Sequence, residues 1–269
     1  MITASIVIYN TSEKDLNSLE RSFSHVKMAF KLFIVDNSQT NRLKEYFEKD
    51  QKIIYIHMPS NPGFGVGHNI AIQEAQKINS QFHFVINPDV YFDTDVISGM
   101  LNYINQHDDI GMMMPQILNL DASVQHLPKL LPSPFDVLMR KFKKPVGYYT
   151  KFINKYELRF VDHNLIYEAP VLSGCFTLFR MSAIREVGMY DDRFFMYFED
   201  WDLSRRMNEK YRTIYFPKVS VYHGYESGAN RNKRLFKIFI QSAVAYFNKW
   251  GWIFDSRRRK VNARTLEQF

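Results

Sequence analysis

Asn87-Pro88-Asp89, the tetrad Glu199-Asp200-Trp201-Asp202, His223, and the segment Asn61-Pro62-Gly63-Phe64-Gly65-Val66-Gly67-His68-Asn69 are where this sequence could do chemistry. Asp89 closes a strongly apolar run, FHFVINPD. A carboxylate at such a strand end can hold Mg2+ or Mn2+, which take hard oxygen ligands and fill their shells with water and substrate phosphates. His223 ends a later apolar run, and imidazole also suits Mn2+. A lone histidine at a strand end is usually just a partner for backbone or solvent. In the tetrad, helical spacing sets Glu199 and Asp202 on one face and lets Asp202 meet Arg206 four residues on. Asp200 then projects elsewhere, where it can face a pocket. The aromatic run Arg193-Phe194-Phe195-Met196-Tyr197-Phe198 lies just before. A wall of rings strips water from a carboxylate and raises its basicity, which suits a general base. Acidic residues in a first helical turn also simply complement the helix dipole. The glycine segment joins a strand-like to a helix-like stretch, where glycines allow close approach to a phosphate or sugar. It falls short of the dinucleotide fingerprint: His68 occupies the third glycine position, and the segment does not follow the first strand. A hydride-transfer enzyme is therefore disfavoured.

The elements that must position these residues alternate. Strand-like runs at 5–10, 31–38, 52–58 and 82–89 are interleaved with helix-like stretches at 12–26, 41–50, 69–78 and about 95–106. That alternation predicts an α/β domain with a mostly parallel sheet. Such sheets bind ligands beyond the carboxyl ends of their strands, where the strand order changes. Tyr9-Asn10, Asp36-Asn37-Ser38 and Asn87-Pro88-Asp89 would bring polar groups from different strands to that edge, although Asn, Asp and Ser are also ordinary turn formers. Residues 120–165 read as a long excursion, punctuated by proline in LPKLLPSPF and mixing bases with aromatics in MRKFKKPVGYYTKFINKYELRF. Order returns with APVLSGCFTLFR as strand, MSAIREVG as a short helix, FEDWDLSRRMNEK as a helix, and TIYFPKVSVYH as a strand ending at His223.

The 269 residues are 46% hydrophobic, 23% charged and 16% aromatic, which fits one large domain with or without an appendage and excludes wholesale disorder. A single cysteine, Cys175, excludes an intramolecular disulfide and a Cys-ligated zinc or iron–sulfur site. No apolar run reaches the ~18–20 residues of a membrane-spanning helix. MITASIVIYN has no basic residues before its apolar stretch and reads as a first strand instead of a signal peptide. These features predict a soluble or peripheral intracellular protein. The net charge is +7, yet residues 231–264 alone carry ten Lys/Arg against Asp255, and 129–151 hold a second basic cluster. Such a localised excess suits an anionic partner, or a solvated tail. Within it Phe236, Ile240, Ala243, Phe247 and Trp250 recur at helical spacing beside Lys233, Arg234, Lys237 and Lys249. This stripe suits either an interfacial helix on an anionic membrane surface or packing against the domain. Nothing resembles a nucleic-acid-binding fold.

Taken in order, SIVIYN, IVDNS, NPGFGVGHN, INPDV, LSGCFTLFR, FFMYFEDWD and VYH resemble the family 2 glycosyltransferases from about Ser5 to His223. The forms NxGFGxGxN and NPDV are most similar to the bacterial rhamnosyltransferases of that family. The resemblance implies a GT-A (Rossmann-like) domain over 1–228, with a nucleotide-sugar half at about 1–115, an acceptor half at about 116–228, and a basic helical extension over 229–269. It implies that Tyr9 and Asn10 dock the nucleotide, that Asp36 contacts its base, and that Gly65, Asn69 and Asn87 line the nucleotide-sugar pocket. Asp89 matches the final aspartate of the D-x-D metal motif, with His223 completing the shell of Mn2+ or Mg2+. Asp200 matches the catalytic base, supported by the acidic neighbours Glu199 and Asp202. Asn87 stands where the first aspartate of D-x-D would be, which removes one negative charge and lowers the expected metal affinity. The implied reaction is an inverting single displacement, with L-rhamnose from dTDP-rhamnose as first donor and UDP-linked galactose, glucose or galactofuranose as alternatives. The acceptor would be a saccharide, free or polyprenyl-diphosphate-linked, in bacterial cell-surface polysaccharide (O-antigen or capsule) synthesis at the cytoplasmic face of the membrane. A non-catalytic carbohydrate-binding protein of the same fold is the competing expectation. An enzyme making a new phosphoanhydride is disfavoured, because no basic glycine-rich loop lies near residue 10.

Overall fold

The computed structural model describes residues 1–224 and 232–269; the expected boundary at 228/229 and Arg231 lie outside them. The first half follows the alternation read from the sequence: β1 (Ile2–Ile8), α1 (Glu13–Ser24), β2 (Phe30–Asp36), α2 (Lys44–Phe47), β3 (Ile53–His57), α3 (Phe64–Lys77), β4 (Phe82–Ile86), β5 (Val90–Tyr91) and α4 (Val96–Ile104). Then come β6 (Ile110–Leu118), α5 (Pro134–Phe142), α6 (Val146–Tyr156), β7 (Tyr167–Glu168), β8 (Phe176–Arg180), α7 (Met181–Val187), α8 (Glu199–Asn208), β9 (Arg212–His223), α9 (Lys233–Trp250) and α10 (Ser256–Leu266). One mixed sheet runs β3-β2-β1-β4-β8-β6-β9-β5, with β7 paired to β9. β3, β2, β1 and β4 are mutually parallel, as are β6 and β9, while β8 is antiparallel to β4 and β6, and β5 and β7 are antiparallel to β9. The sheet is thus mostly parallel, as expected.

β1 is buried from Thr3 to Ile8, as a parallel strand covered on both faces must be. Its two hydroxyls would be costly there without partners. Thr3 Oγ1 meets His83 Nδ1 at 2.8 Å, and Ser5 Oγ meets His83 Nε2 at 2.8 Å and His68 Nδ1 at 2.7 Å. His68, which breaks the glycine fingerprint, is therefore a core residue. Burial pushes its pKa far down and takes that of His83 to about 3.

Three expectations change. The 41–50 stretch forms only the single turn α2. α3 begins at Phe64 and not at Asn69, so the glycine segment is a short turn over 61–63 followed by the first turns of a helix. A Cβ on Gly67 would sit 2.8 Å from Val7 Cγ2, and one on Gly65 3.0 Å from Tyr190 Cβ, so both glycines let α3 press against its neighbours. The 120–165 excursion contains α5, whose N-terminus is closed by a Ser133/Asp136 capping box, and α6. β6 was missed because IGMMMPQIL carries a proline and few β-branched residues.

α9 and α10 pack onto the rest. Ala243, Tyr246 and Phe247 are buried in a second apolar cluster with Leu131, Val171, Phe194, Phe198 and Trp201. The stripe read from sequence is split: Ala243 and Phe247 point inward, while Phe236 and Ile240 face solvent. Trp250 Nε1 donates to Asp202 Oδ1 at 2.8 Å.

Candidate active site

β1 sits between β2 and β4, the point where the strand order reverses, and the three run parallel. Their carboxyl ends therefore deliver Tyr9, Asn37 and Asn87 to one edge. There a cleft of about 660 Å3 is lined by Tyr9, Asn37, Gly63, Asn87, Asp89, Glu199, Asp200 and His223, among others. Gly63 caps α3 with φ +102°, a backbone state that only glycine adopts without strain. Any Cβ there would run into the Phe195 carbonyl oxygen. The Phe64 N–H donates to that same oxygen at 2.9 Å. The Asn-Pro-Gly turn thus holds the aromatic run beside the cleft. Tyr197 and Phe198 follow with φ of +70° and +66°, a strained pair that turns the chain into α8.

Glu199 and Asp200 open α8 and both reach the cleft. Burial pushes both pKa values up, that of Glu199 much further, with the Asp200 charge as its second cause. The two carboxyls differ in their partners. Asp200 Oδ2 accepts from the Gly174 N–H at 3.2 Å, and Oδ1 from the Trp201 N–H at 2.9 Å. Glu199 Oε2 is buried with no partner among the described residues. Donors stabilise a carboxylate and their absence favours the acid, so of the two Asp200 is the better placed to carry a charge and Glu199 to hold a proton. Asp202, expected on one face with Glu199, points away instead. It is fully buried against Arg206 Nε at 2.8 Å and Lys249 Nζ at 2.7 Å, and with Trp250 it clasps α9. The expected Asp202–Arg206 pair is present.

Asp89 Oδ1 lies 3.4 Å from His223 Nε2, which the antiparallel pairing of β5 with the end of β9 brings together. Burial pushes the Asp89 pKa up, but hydrogen bonds from His223, its own backbone amide and Asn87 outweigh this and hold it below the usual range. Gln125 steadies His223: its Oε1 is 3.2 Å from Nδ1, and its Nε2 donates to the His223 carbonyl at 2.9 Å. Among the described residues no group of three His, Cys, Asp or Glu side chains could hold a metal ion. Asn87 Oδ1, however, is buried in the same cleft without a partner among the described residues. A carboxylate, an imidazole and an orphaned amide oxygen fit a Mn2+ or Mg2+ ion that draws the rest of its shell from phosphates and water. Cys175 also touches the cleft, but burial raises its thiol to about 12, so it is no nucleophile.

Other expected positions stand behind the wall. The Asp36 carboxyl is fully buried, with Oδ1 accepting from the Ser38 N–H at 2.9 Å and Oδ2 from the Tyr55 hydroxyl at 2.5 Å. Asn10 is exposed, and its N–H donates to Ser38 Oγ at 2.9 Å. Gly65 packs on Tyr190 and on the Glu199 Cβ. Asn69 clamps residue 190 from both sides, donating to its carbonyl at 2.8 Å and accepting from its N–H at 2.9 Å. Asp36, Asn10, Gly65 and Asn69 are absent from the cleft lining.

A second cleft, of about 300 Å3, adjoins the first and shares Ser173, Tyr197, Glu199, Asp200 and His223 with it. It adds Lys129, Arg140, Lys141, Trp201, Phe236 and Phe239. Sequence reasoning missed Lys129, whose position is set by backbone pairing with Val171 at 3.1 and 3.2 Å. It also missed Gly174, Gln125, the α9 N-cap Asn232 and the α9 residues Arg234, Leu235 and Ile238 on the first cleft. The LSG motif was a visible signal for Gly174; Lys129 had none within its proline-rich context.

Architecture and site edge define a GT-A-type α/β fold. Residues 3–188 match glycosyl transferase family 2, and the chain belongs to that family. The low-salt glycan biosynthesis hexosyltransferase Agl10 of Haloferax volcanii is 26% identical over 205 residues, 75% of this chain and 60% of that protein. The N-acetylglucosaminyl-diphospho-decaprenol L-rhamnosyltransferase of Mycobacterium tuberculosis is 25% identical, across 76% of this chain and 71% of its own. Rhamnosyltransferase WbbL of Escherichia coli is 22% identical over 98% and 96% of the two chains. Among solved structures, S. aureus TarS (residues 1–349) covers 98% of this chain and 70% of its own at 14% identity, with a TM-score of 0.61. GalNAc-T7 with UDP, GalNAc and Mn2+ covers 84% and 43% at 14% identity, with a TM-score of 0.61. These structures are alike in fold.

Proposed function

We propose that this chain is an inverting glycosyltransferase in which Asp200 is the general base. The observation that carries this is the meeting of the two clefts at Glu199 and Asp200. A donor in the larger cleft and an acceptor in the smaller would have their reacting atoms at one carboxylate. Asp200 takes the proton of the acceptor hydroxyl while its oxygen forms a bond to the donor's anomeric carbon. The bond from that carbon to the nucleoside diphosphate breaks, and the electron pair leaves with the diphosphate. Glu199, holding its proton, leaves Asp200 as the anion of the pair, a division of two neighbouring carboxyls by environment. Tyr9 and Asn37 stand where a nucleotide would lie. Asp89 and His223, with Asn87, would hold the divalent cation, which when bound neutralises charge on the leaving diphosphate. Asp36, Asn10, Gly65 and Asn69 act through the wall behind, by fixing Tyr55, Ser38 and the 190 segment.

The donor we propose is dTDP-L-rhamnose, supported by the rhamnosyltransferase names of two relatives; a UDP-hexose is the second reading, favoured by the hexosyltransferase relative. The acceptor is a saccharide carried on a lipid, in cell-surface polysaccharide synthesis, and the protein sits peripherally on an anionic membrane through the basic α9 and α10. No described helix is long and apolar enough to cross a membrane. A thermal-shift screen of dTDP, UDP and GDP sugars, with and without Mn2+, tests the donor. Stabilisation by a dTDP sugar, with slow release of nucleoside diphosphate in the absence of acceptor, is expected. No nucleotide binding and no hydrolysis would favour the non-catalytic carbohydrate-binding alternative. Liposome co-sedimentation tests the membrane contact, which should need anionic lipid and weaken with salt.

A further inference from the structure

Among the described residues Lys129 is the only buried lysine, at 5% exposed. So long and flexible a side chain ordinarily carries its ammonium out to water, and a buried charge without a partner is costly. Two contacts hold this one inside. The bridge to Val171 fixes its main chain, and Nζ donates to the Leu127 carbonyl at 2.7 Å. No carboxylate pairs with it among the described residues. Glu157, the nearby candidate, is already engaged, accepting from Arg140 Nε at 3.2 Å and from Arg159 Nε at 2.9 Å. The segment that fixes Lys129 also builds the proposed base. Val171 leads through Leu172 and Ser173 to Gly174, whose N–H donates to Asp200 Oδ2 at 3.2 Å. Leu172 is tied to α8 on the way: its N–H donates to Ser204 Oγ and its carbonyl accepts from it, both at 3.2 Å. Lys129 and Asp200 are therefore two walls of one cleft, set by the same stretch of chain.

The other titratable and charged groups facing Lys129 are Arg140 and Lys141 on α5, Glu157 after α6, Cys175 before β8, Glu199 on α8 and His223 on β9, with His126 on its own segment. Arg140 answers Glu157, and Cys175 stays a thiol. Burial, with Arg140 next, takes the Lys129 amine down to about 8, while Glu157 and Asp200 hold it up. At Asp200 burial favours the acid, and the Gly174 amide and then the Lys129 charge oppose it. A carboxyl that stays protonated cannot accept a proton, so a nearby cation is worth its own burial. We propose that Lys129 is a positioning residue for the base: its ammonium, held in the cleft without a carboxylate of its own, keeps Asp200 ionised, a role that rests on the reading of Asp200 as base.

Two measurements on the full chain test it. Carbon-13 NMR of protein labelled at the aspartate carboxyls follows the Asp200 titration, with the signal assigned by its loss in Asp200→Asn. Lys129→Met, or Lys129→Gln if the methionine variant does not fold, should raise the Asp200 midpoint by about one unit. Lys129→Arg should restore it, and Lys151→Met, at an exposed position on α6, should leave it unchanged. The pH profile of transfer reads the consequence. Its acid limb should move up with the midpoint, so the neutral variant loses about tenfold below that limb. Parent and variant should converge above about pH 8, where the Lys129 amine has itself discharged. An Asp200 midpoint that does not move overturns the proposal. So does a loss of transfer equal at every pH, which a merely structural role would give. A higher KM for the acceptor with an unmoved acid limb also overturns it, by making Lys129 a substrate contact. If the midpoint moves as stated but no sugar is transferred at any pH, the transferase reading falls and the coupling of Lys129 to Asp200 stands.

Discussion

Replacing Asp255 by alanine should detach the C-terminal helices from the catalytic face. Asp255 accepts both arms of the Arg205 guanidinium, at 2.8 and 2.9 Å, and both side chains are 3% exposed. It also caps α10 by accepting from the Arg258 N–H at 2.8 Å, while Arg205 lies 4.2 Å from the Trp250 ring. Removing one partner of a buried pair leaves the other charge uncompensated, a cost of about 3–5 kcal/mol that includes the lost cap. For a chain of this size each kcal/mol moves the midpoint by ~2–4 °C, so Asp255→Ala should melt roughly 6–20 °C below the parent. Asp255→Asn, which keeps an acceptor for the cap, should lose less. Burial alone would raise the Asp255 pKa, but the Arg205 fork, the Arg258 amide and nearby positive charge outweigh it and hold it below the usual range. A carboxyl depressed on folding contributes stability above its unfolded pKa and loses it as pH falls through the folded value. The gap between parent and variant should therefore be full at pH 7 and shrink below pH 4. Scanning calorimetry from pH 7 to pH 3 measures it. A shift under 2 °C at pH 7, or a gap that widens on acidification, would refute the reasoning. Because α9 lines both clefts, the same variant should bind nucleotide more weakly well below its melting point.

Other perturbations give separate signatures. Glu199 has its pKa raised by burial and by the Asp200 charge, so the folded state binds its proton more tightly than the unfolded chain and parent stability falls as pH rises above the ordinary carboxylate range. Glu199→Gln should therefore gain on the parent from pH 5 to pH 8, by up to ~1.4 kcal/mol per unit, and a relative loss at pH 8 would contradict this. Asp89→Ala should weaken nucleotide binding in Mn2+ by about tenfold or more and abolish the response to EDTA, read by calorimetry; unchanged affinity would move the cation elsewhere. Gly63→Ala must hold φ +102° and displace the Phe195 carbonyl, which should cost ~2–4 kcal/mol in denaturant unfolding. A loss under 0.5 kcal/mol would show that the turn can give way.

The strands β1, β2 and β4 were legible because parallel strands buried on both faces are continuous apolar runs. Their polar ends were legible because a ligand edge needs groups that a core excludes. Gly63 to Gly67 could be seen as special but not explained: close packing of α3 on Val7 and Tyr190 and close approach to a phosphate both call for glycine. β6, with Pro115 among three methionines, carries its strand only through pairing with β8 and β9. Asp202 illustrates the same limit. Local spacing gave its Arg206 partner, whereas Lys249 and Trp250, some 47 and 48 residues on, are a product of the tertiary fold. Lys129 was invisible for this reason too, since only the bridge to Val171 sets it beside Asp200.

The central claim is that Asp200 removes the acceptor's proton. It is tested most directly by measuring transfer and nucleotide affinity together in Asp200→Asn, once a donor and acceptor pair has been found for the parent. Asparagine keeps the shape and one oxygen, which accepts from either the Gly174 or the Trp201 amide, so the fold and nucleotide binding should hold within about twofold. Turnover should fall by roughly 10²–10⁴-fold, the usual loss of one general base. A folded Asp200→Asn protein that transfers sugar at the parent rate would contradict the account.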